Sequence, residues 1–457
     1  MSDPKTEFLN KARPLAQTLI AHALSTGQPF GITDVKIGVS AQQEQENILE
    51  NGSVTKVSSG ATCYTRVTLY AGDRVLTFGR NSLDEQALSA DITNNLGVIG
   101  IAPENPDKRL LESAKVYKGP VIDLDQYDPA PVDQDDLLAY ARAAEAAAVA
   151  AIAATPGAER VESVSVSRTT GHEYVLATNG LELQDSATMH QAHVSVIAQD
   201  SSGMQGGGEF SFARHFSDMA DPAELGKKAV QDAVEKLSAT LPATGTMPIV
   251  LDNGTARGFF GAVLAAIDGG AVFRGLTFLK DKRGQQVLSK GITIVDDPRI
   301  PRGASSGCID SSGVEMRPIT FIDDGVLKCF NAGLVESRQL GIDPIGRNDG
   351  STNIRILPGT QTPDELIADI KEGIYVKAFH GGAVKVNDGT YSKQASGFLI
   401  RDGKITNIAL EGFAVSGNLK DMFMNVSVAN DTPALPSNKY STAAPTTRIN
   451  GMTIAGR

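Results

Sequence analysis

The chain has no tryptophan, and aromatic residues make up only 5% of its 457 positions. Its three cysteines, Cys63, Cys308 and Cys329, are far apart, odd in number and never form CxxC. That excludes a disulfide framework and a four-cysteine zinc module, and it predicts reduced thiols in a cytoplasmic protein. Histidine is scarce, with six in all: His22, His172, His190, His193, His215 and His380. Clustered Lys and Arg are missing too, and the net charge is −11. Phosphate binding needs a surplus of cations on one face, so no nucleic-acid partner is expected. Long apolar runs are also lacking. The most membrane-like stretch, 137–154, is mostly alanine and contains Arg142 and Glu145, so it reads as a packed helix and no membrane partner is expected. Residues 1–7 hold no apolar signal core, which agrees with a cytoplasmic location.

What is present, 41% hydrophobic and 21% charged residues, fits a globular α+β protein too long for one core. Leu241-Pro242-Ala243-Thr244-Gly245-Thr246 marks the best boundary. It divides an N-terminal α+β, sandwich-like part (1–240, with a softer break near 123–136) from a strand-rich C-terminal domain (247–457). Helix starts are expected at Ser82 with Glu85, at Asp133, at Asp221-Pro222 with Glu224 (running to Leu237), and at Thr362-Pro363 with Glu365 (stopped by Gly373). Residues 8–24 read as a helix stopped by Gly27, with Pro14 either kinking it or marking its true start. Hairpins are expected around Ala71-Gly72-Asp73, around a Gly/Ser-rich loop at 200–208, and at Asp402-Gly403. Helices concentrate before residue 240 and strands after it. The polar stretch 430–447, with three prolines, is a functional or disordered loop.

The chemical motifs are weak. His190 and His193 lie in a strand-like context, where residues three apart point to opposite faces and cannot grip one ion. His172-Glu173 opens like HExxH, but Leu176 and Ala177 stand at the later ligand positions, and Thr169-Thr170-Gly171 places the pair at a turn. Gly303-Ala304-Ser305-Ser306-Gly307 matches G-x-S-x-G, yet neither flank supplies the strand and helix of a nucleophile elbow. Gly206-Gly207-Gly208 lacks a following Lys-Ser/Thr and reads as a hairpin loop. Asp296-Asp297 and Asp323-Asp324 mark turns before Pro298 and Gly325. Cys308 has no nearby His in the sequence to activate it.

Several segments in order resemble one family. They include Ala271-Val272-Phe273-Arg274-Gly275-Leu276-Thr277-Phe278-Leu279, Ile292-Thr293-Ile294-Val295-Asp296-Asp297-Pro298 and Asp323-Asp324-Gly325-Val326-Leu327. Thr352-Asn353-Ile354-Arg355-Ile356-Leu357-Pro358-Gly359, Glu372-Gly373-Ile374-Tyr375-Val376 and the closing Arg448-Ile449-Asn450-Gly451 continue the series, and Phe210-Ser211-Phe212-Ala213-Arg214 extends it into the N-terminal half. Together they are similar to the TldD/PmbA (modulator of DNA gyrase) family. The resemblance implies a PmbA/TldD-like two-domain fold. In the family's zinc-bearing TldD branch it also implies a helical HExxxH motif with a C-terminal cysteine ligand. The matching positions here are Gly261 to Ala266, inside an apolar helix preceded by a loop and closed by Gly269-Gly270. Gly261 and Ala266 replace the two His, Ala262 replaces the Glu that would activate water, and no cysteine follows Cys329.

The chain therefore resembles the zinc-less PmbA/TldE branch, with no catalytic or metal-binding residue of its own. The resemblance implies a TldD-type partner carrying zinc, or a second copy of this chain, acting on extended unfolded peptides. The gyrase link would then run through peptide turnover rather than DNA contact. The same features allow a homodimeric peptide-binding or regulatory protein without catalysis, or a peptidase using Ser305 or Cys308. Small residues Gly261, Ala262, Ala265 and Ala266 either admit a partner's backbone or pack the helix on its own core. The groove residues are not readable at this stage.

Overall fold

The structure, a computed structural model, describes residues 4–456. Met1–Asp3, part of the segment read as lacking a signal core, lie outside the described residues. The first 240 residues build helix α1 (Pro4–Gly27), strands β1 (Asp34–Glu50), β2 (Ser53–Ala71) and β3 (Arg74–Arg80), and helices α2 (Glu85–Asn95) and α3 (Gln134–Ala154). Strands β4 (Ala158–Ala177), β5 (Glu182–Asp200) and β6 (Gly203–Ala213) and helix α4 (Pro222–Val234) complete them. The strands form one antiparallel sheet in the order β3-β2-β1-β4-β5-β6. Strands are thus as prominent before residue 240 as after it, contrary to the expectation; β2, β4 and β5 run 19, 20 and 19 residues. Their hydrophobic alternation covers only the stretches that helices cover, so the polar ends do not read as strand.

All four N-terminal helices pack on the same face of this sheet. Val35, Ile37 and Val39 of β1 and Val67 and Leu69 of β2 meet α1 and α2. Further along the same strands, Val164, Val166, Val194 and Val196 meet α3 and α4. Among the described residues α3 alone is long and apolar enough to cross a membrane, yet its Leu137, Tyr140, Ala141, Ala144 and Ala148 are buried in this core. Its N-terminus carries the expected cap: Asp133 and Asp136 exchange hydrogen bonds with each other's backbone N–H. The cap of α2 is Asp84 rather than Ser82. The Asp84 carboxylate accepts from Ala87 N at 2.7 Å, while Ser82 Oγ only orients Asp84.

The remaining chain starts with β7 (Gly245–Leu251), α5 (Asn253–Ala266), α6 (Gly269–Phe273) and β8 (Ile294–Asp296). It continues through β9 (Ile319–Asp323), β10 (Val326–Leu327), α7 (Leu334–Leu340), β11 (Ile354–Ile356) and α8 (Pro363–Ile367). Then come β12 (Glu372–Val384), β13 (Thr390–Arg401), β14 (Lys404–Asn418), α9 (Leu419–Met424), β15 (Val426–Val428), β16 (Thr442–Ala443) and β17 (Thr447–Ala455). One sheet runs β14-β13-β12-β7-β17-β15 and a smaller one β10-β9-β8-β11-β16. Phe259, Phe260 and Val263 of α5 lie in the core shared by the two sheets, with Phe259 edge-on to Phe423 at 5.8 Å.

Three turn and helix expectations shift in detail. Helix α8 is short, because the carbonyls of Ile370 and Lys371 accept from Gly403 and Asp402 of the β13–β14 turn instead of extending the helix. Gly269 does not end α5; it begins α6, capped by Asp268. Gly206-Gly207-Gly208 is not a hairpin loop but part of β6. At Gly207 a Cβ would stand 2.2 Å from Ala233 N of α4, so glycine is what lets strand and helix approach.

Candidate functional site

The helix singled out by the sequence is built as expected but scatters its small residues. The Asp252 carboxylate caps α5 by accepting from Thr255 N and Thr255 Oγ1, both at 2.7 Å. Ala262 and Ala266 are buried in the C-terminal core, while Gly261 is exposed with open space where a side chain would be. The three positions therefore do not share one surface, and none borders the large cleft described below. None carries a donor atom, so a zinc ion at this helix does not fit the side chains present. Among the described residues, no three His, Cys, Asp or Glu side chains are grouped to hold a metal.

The histidines serve other contacts. His190 is fully buried on the helix-covered face of β5, whereas His193, three residues on, is exposed, as strand geometry requires. His172 lies not at a turn but within β4, opposite Ala41 and Ser186, with its ring stacked on Phe8. His380 meets Ser396 Oγ at 3.1 Å, and His22 meets Ser89 O at 3.0 Å.

The Asp296-Asp297 pair splits. Asp297 accepts from Arg299 N in a turn, as expected. Asp296 instead ends β8 fully buried, ion-paired with the equally buried Arg347 at 2.7 Å and accepting from Thr352 N. Its partner lies 51 positions away, so no local signal announces the pair. Ser306 Oγ donates to Ile300 O at 2.6 Å and accepts from Asn353 Nδ2. The buried Cys308 thiol sits 3.2 Å from an Arg299 guanidinium nitrogen, a neighbour the sequence does not reveal. No histidine contacts Ser305, Ser306 or Cys308 among the described hydrogen bonds, so a nucleophile–base pair is not assembled.

Ser305, Ser306 and Cys308 do border a large cleft, of about 1390 Å³. Its bed is the helix-free face of the N-terminal sheet: Lys36, Gly38 and Ser40 of β1, Tyr64 and Arg66 of β2, Glu173 of β4. Alternation explains the split, since Ile37 and Val39 point to the helices and Lys36, Gly38 and Ser40 point away. The opposite wall comes from C-terminal loops bearing Ser311, Asn348 and Asp349. Lys36 spans the gap and donates to Ser311 O. Burial pushes the Lys36 ammonium below its ordinary value, against the pull of Asp349 and Glu173. Burial, then Asp185 and Asp349, push the Glu173 carboxyl above the ordinary range.

The linker 121–127 closes one end of the cleft and is held by ionic contacts. Arg302 binds Asp125 at 2.6 Å and Asp218 at 2.9 Å, and its backbone N–H donates to Leu124 O. Asp128 accepts from Phe216 N and Ala130 N and faces His190 at 3.0 Å. Burial opposes its charge, yet these hydrogen bonds hold its carboxyl below the ordinary range. Burial in turn lowers His190, with Asp128 pulling the other way. A second tie is the stretch 430–447, which forms a strap. Asn438 O accepts from Phe212 N of β6, Lys439 pairs with Glu209 at 2.6 Å, and the Tyr440 ring lies 4.2 Å from the Arg257 guanidinium of α5.

With this geometry in place, similarity to known proteins is extensive. Residues 244–456 match the family model described as the PmbA/TldA metallopeptidase C-terminal domain, and residues 127–237 match that of its central domain. The metalloprotease PmbA of Escherichia coli O157:H7 is 29% identical over 386 residues, 83% of this chain and 84% of its own length. A PmbA homologue of Haemophilus influenzae is 25% identical over 371 residues, 80% of each chain. A Bacteroides thetaiotaomicron crystal structure described as a modulator of DNA gyrase superposes with TM-score 0.87, at 23% identity, over 97% of this chain and 99% of its own. TldE from Thermococcus kodakarensis gives TM-score 0.79 at 18% identity, over 95% and 99%. At those identities the two structures speak for the fold alone.

Proposed function

Because the chain belongs to the PmbA/TldD metallopeptidase family, we propose that it is the zinc-less subunit of a cytoplasmic two-subunit metallopeptidase that degrades or processes small unfolded peptides. The observation that carries this reading is the lack of any ligating side chain at 261–266 of helix α5. Where the resemblance places HExxxH, the chain has Gly261, Ala262 and Ala266, and none of these can ligate zinc or deprotonate its water. The chemistry then belongs to a TldD-type partner. This chain contributes enclosure and peptide contacts, which a narrow cleft restricts to short or unfolded substrates.

The test is zinc content and peptide hydrolysis, measured for the chain alone and after mixing with a TldD-type subunit. Zinc and turnover in the mixture only are expected. Stoichiometric zinc and normal turnover by the chain alone would sink the proposal. The second reading is a homodimeric peptide-binding protein, since this chain supplies both the bed and the far wall of the cleft. No complex with a TldD-type subunit, with peptide binding retained, would select it.

A further inference from the structure

The charges on the cleft bed are arranged across the strands in a definite order. Tyr64, Ser40, Glu173 and Asp185 lie side by side in one row of ladder partners, on β2, β1, β4 and β5. The next row on the same face runs Arg66, Gly38, Val175 and Leu183. Glu173 and Asp185 are thus direct cross-strand neighbours of like charge, an arrangement that destabilises a sheet unless a cation sits on it. Lys36 and Arg66 draw on Glu173, and Asp185 draws on Arg214, but among the described residues no Lys, Arg or His forms an ion pair with either carboxylate, and both border the cleft. The burden shows in Glu173, whose carboxyl is held above its ordinary range by burial and by Asp185 and Asp349.

Arg66 is the counterpart. It is exposed in the cleft, rests against the Tyr64 ring at 5.9 Å and makes no ion pair among the described residues. Lys36 is already committed to Ser311 O. Between Arg66 and the acid pair lie Gly38 and Ser40, and Gly38 leaves the bed flat. Two strand spacings and a two-residue rise separate the Arg66 and Glu173 backbones by about 12 Å. An extended chain of two or three residues spans about 7–10 Å, a length that fits between two side chains anchored that far apart.

We propose that the cleft binds short peptides by both free ends, the Glu173–Asp185 pair taking the protonated amino terminus and Arg66 the terminal carboxylate. This rests on the peptide-handling reading above and names its ligand class: free-ended peptides of two or three residues. A side chain alone could not satisfy both poles at this spacing. A capped peptide, or one continuing far beyond either end, leaves one pole unpaired at a cost.

Calorimetric titration of the full chain tests this, with trialanine, N-acetyl-trialanine and trialanine amide as probes at neutral pH. Each cap is expected to weaken binding at least tenfold. In Glu173→Gln/Asp185→Asn the acetyl cap should cease to matter, and in Arg66→Gln the amide cap should. Asp185→Asn alone, with circular dichroism on every variant, guards against a folding defect. Equal affinity for free and capped trialanine, cap effects untouched by these substitutions, or no binding of trialanine by the folded chain would each overturn the inference. The titration contains no partner subunit, so it can fail while zinc-dependent hydrolysis in the mixture succeeds, and the reverse.

Discussion

At the scale of single residues, charge placement separates what holds the fold from what waits for a ligand. Asp296 and Arg347 are buried, paired and further hydrogen-bonded; each would be costly to leave alone and together they are satisfied. Glu173 and Asp185 are like-charged neighbours with no direct ion pair among the described residues, although Lys36 and Arg66 draw on Glu173 from further off. The raised Glu173 carboxyl gives a stability prediction of definite sign. Between the ordinary value near 4.5 and its raised value, the folded chain binds more protons than the unfolded one, so stability falls as pH rises through that window. Glu173→Gln removes the penalty. It is expected to raise the unfolding temperature at pH 7, with the advantage shrinking as pH drops below the window. A lower unfolding temperature for the variant at pH 7 would contradict this account. Little of this was legible in the sequence. Asp296-Asp297 looks like a turn, and Glu173 gains meaning only from the register that sets it against Asp185.

At the scale of elements, most caps and the Gly27 stop of α1 were readable, whereas boundaries set by distant contacts were not. Asp133, Asp221 and Thr362 all cap helices as their side chains imply, because a cap is settled within three residues. The end of α8 depends on a turn some thirty residues downstream, and the strand identity of Gly206-Gly207-Gly208 depends on α4. Two glycines show the same contrast energetically. Gly207→Ala forces a methyl into the backbone of α4 and should cost about 1–3 kcal/mol, as overpacking does. Gly261→Ala meets nothing and should stabilise α5 by about 0.5–1 kcal/mol through helix propensity. Urea unfolding of the two variants checks both signs. A stabilised Gly261→Ala that no longer joins a TldD-type subunit would also show that this open face of the helix is used in assembly.

For the whole molecule, the family was visible because many collinear segments carry it, whereas the cleft was not. Its bed comes from residues 36–66 and 173–186 and its far wall from residues 305–349, and only the strand register and the inter-layer ties bring these together. Those ties divide by position. The strap through Asn438, Lys439 and Tyr440 joins β6 to α5, and none of these residues borders the cleft; Arg302 holds the linker that does. Arg302, Asp125 and Asp218 are each a third or more exposed, so their ion pairs contribute only about 0.2–1 kcal/mol apiece. Arg302→Gln should therefore barely move global unfolding. It should nonetheless free the linker 121–127, raising its proteolytic cleavage and weakening peptide binding in the cleft, because local opening draws on local contacts. Tyr440→Ala loses a cation–π contact of similar size but should leave linker cleavage and peptide affinity unchanged. Limited proteolysis and titration of the two variants side by side give the answer. Equal effects on peptide binding would mean that the two layers move as one body and that the linker is not the cleft's adjustable wall.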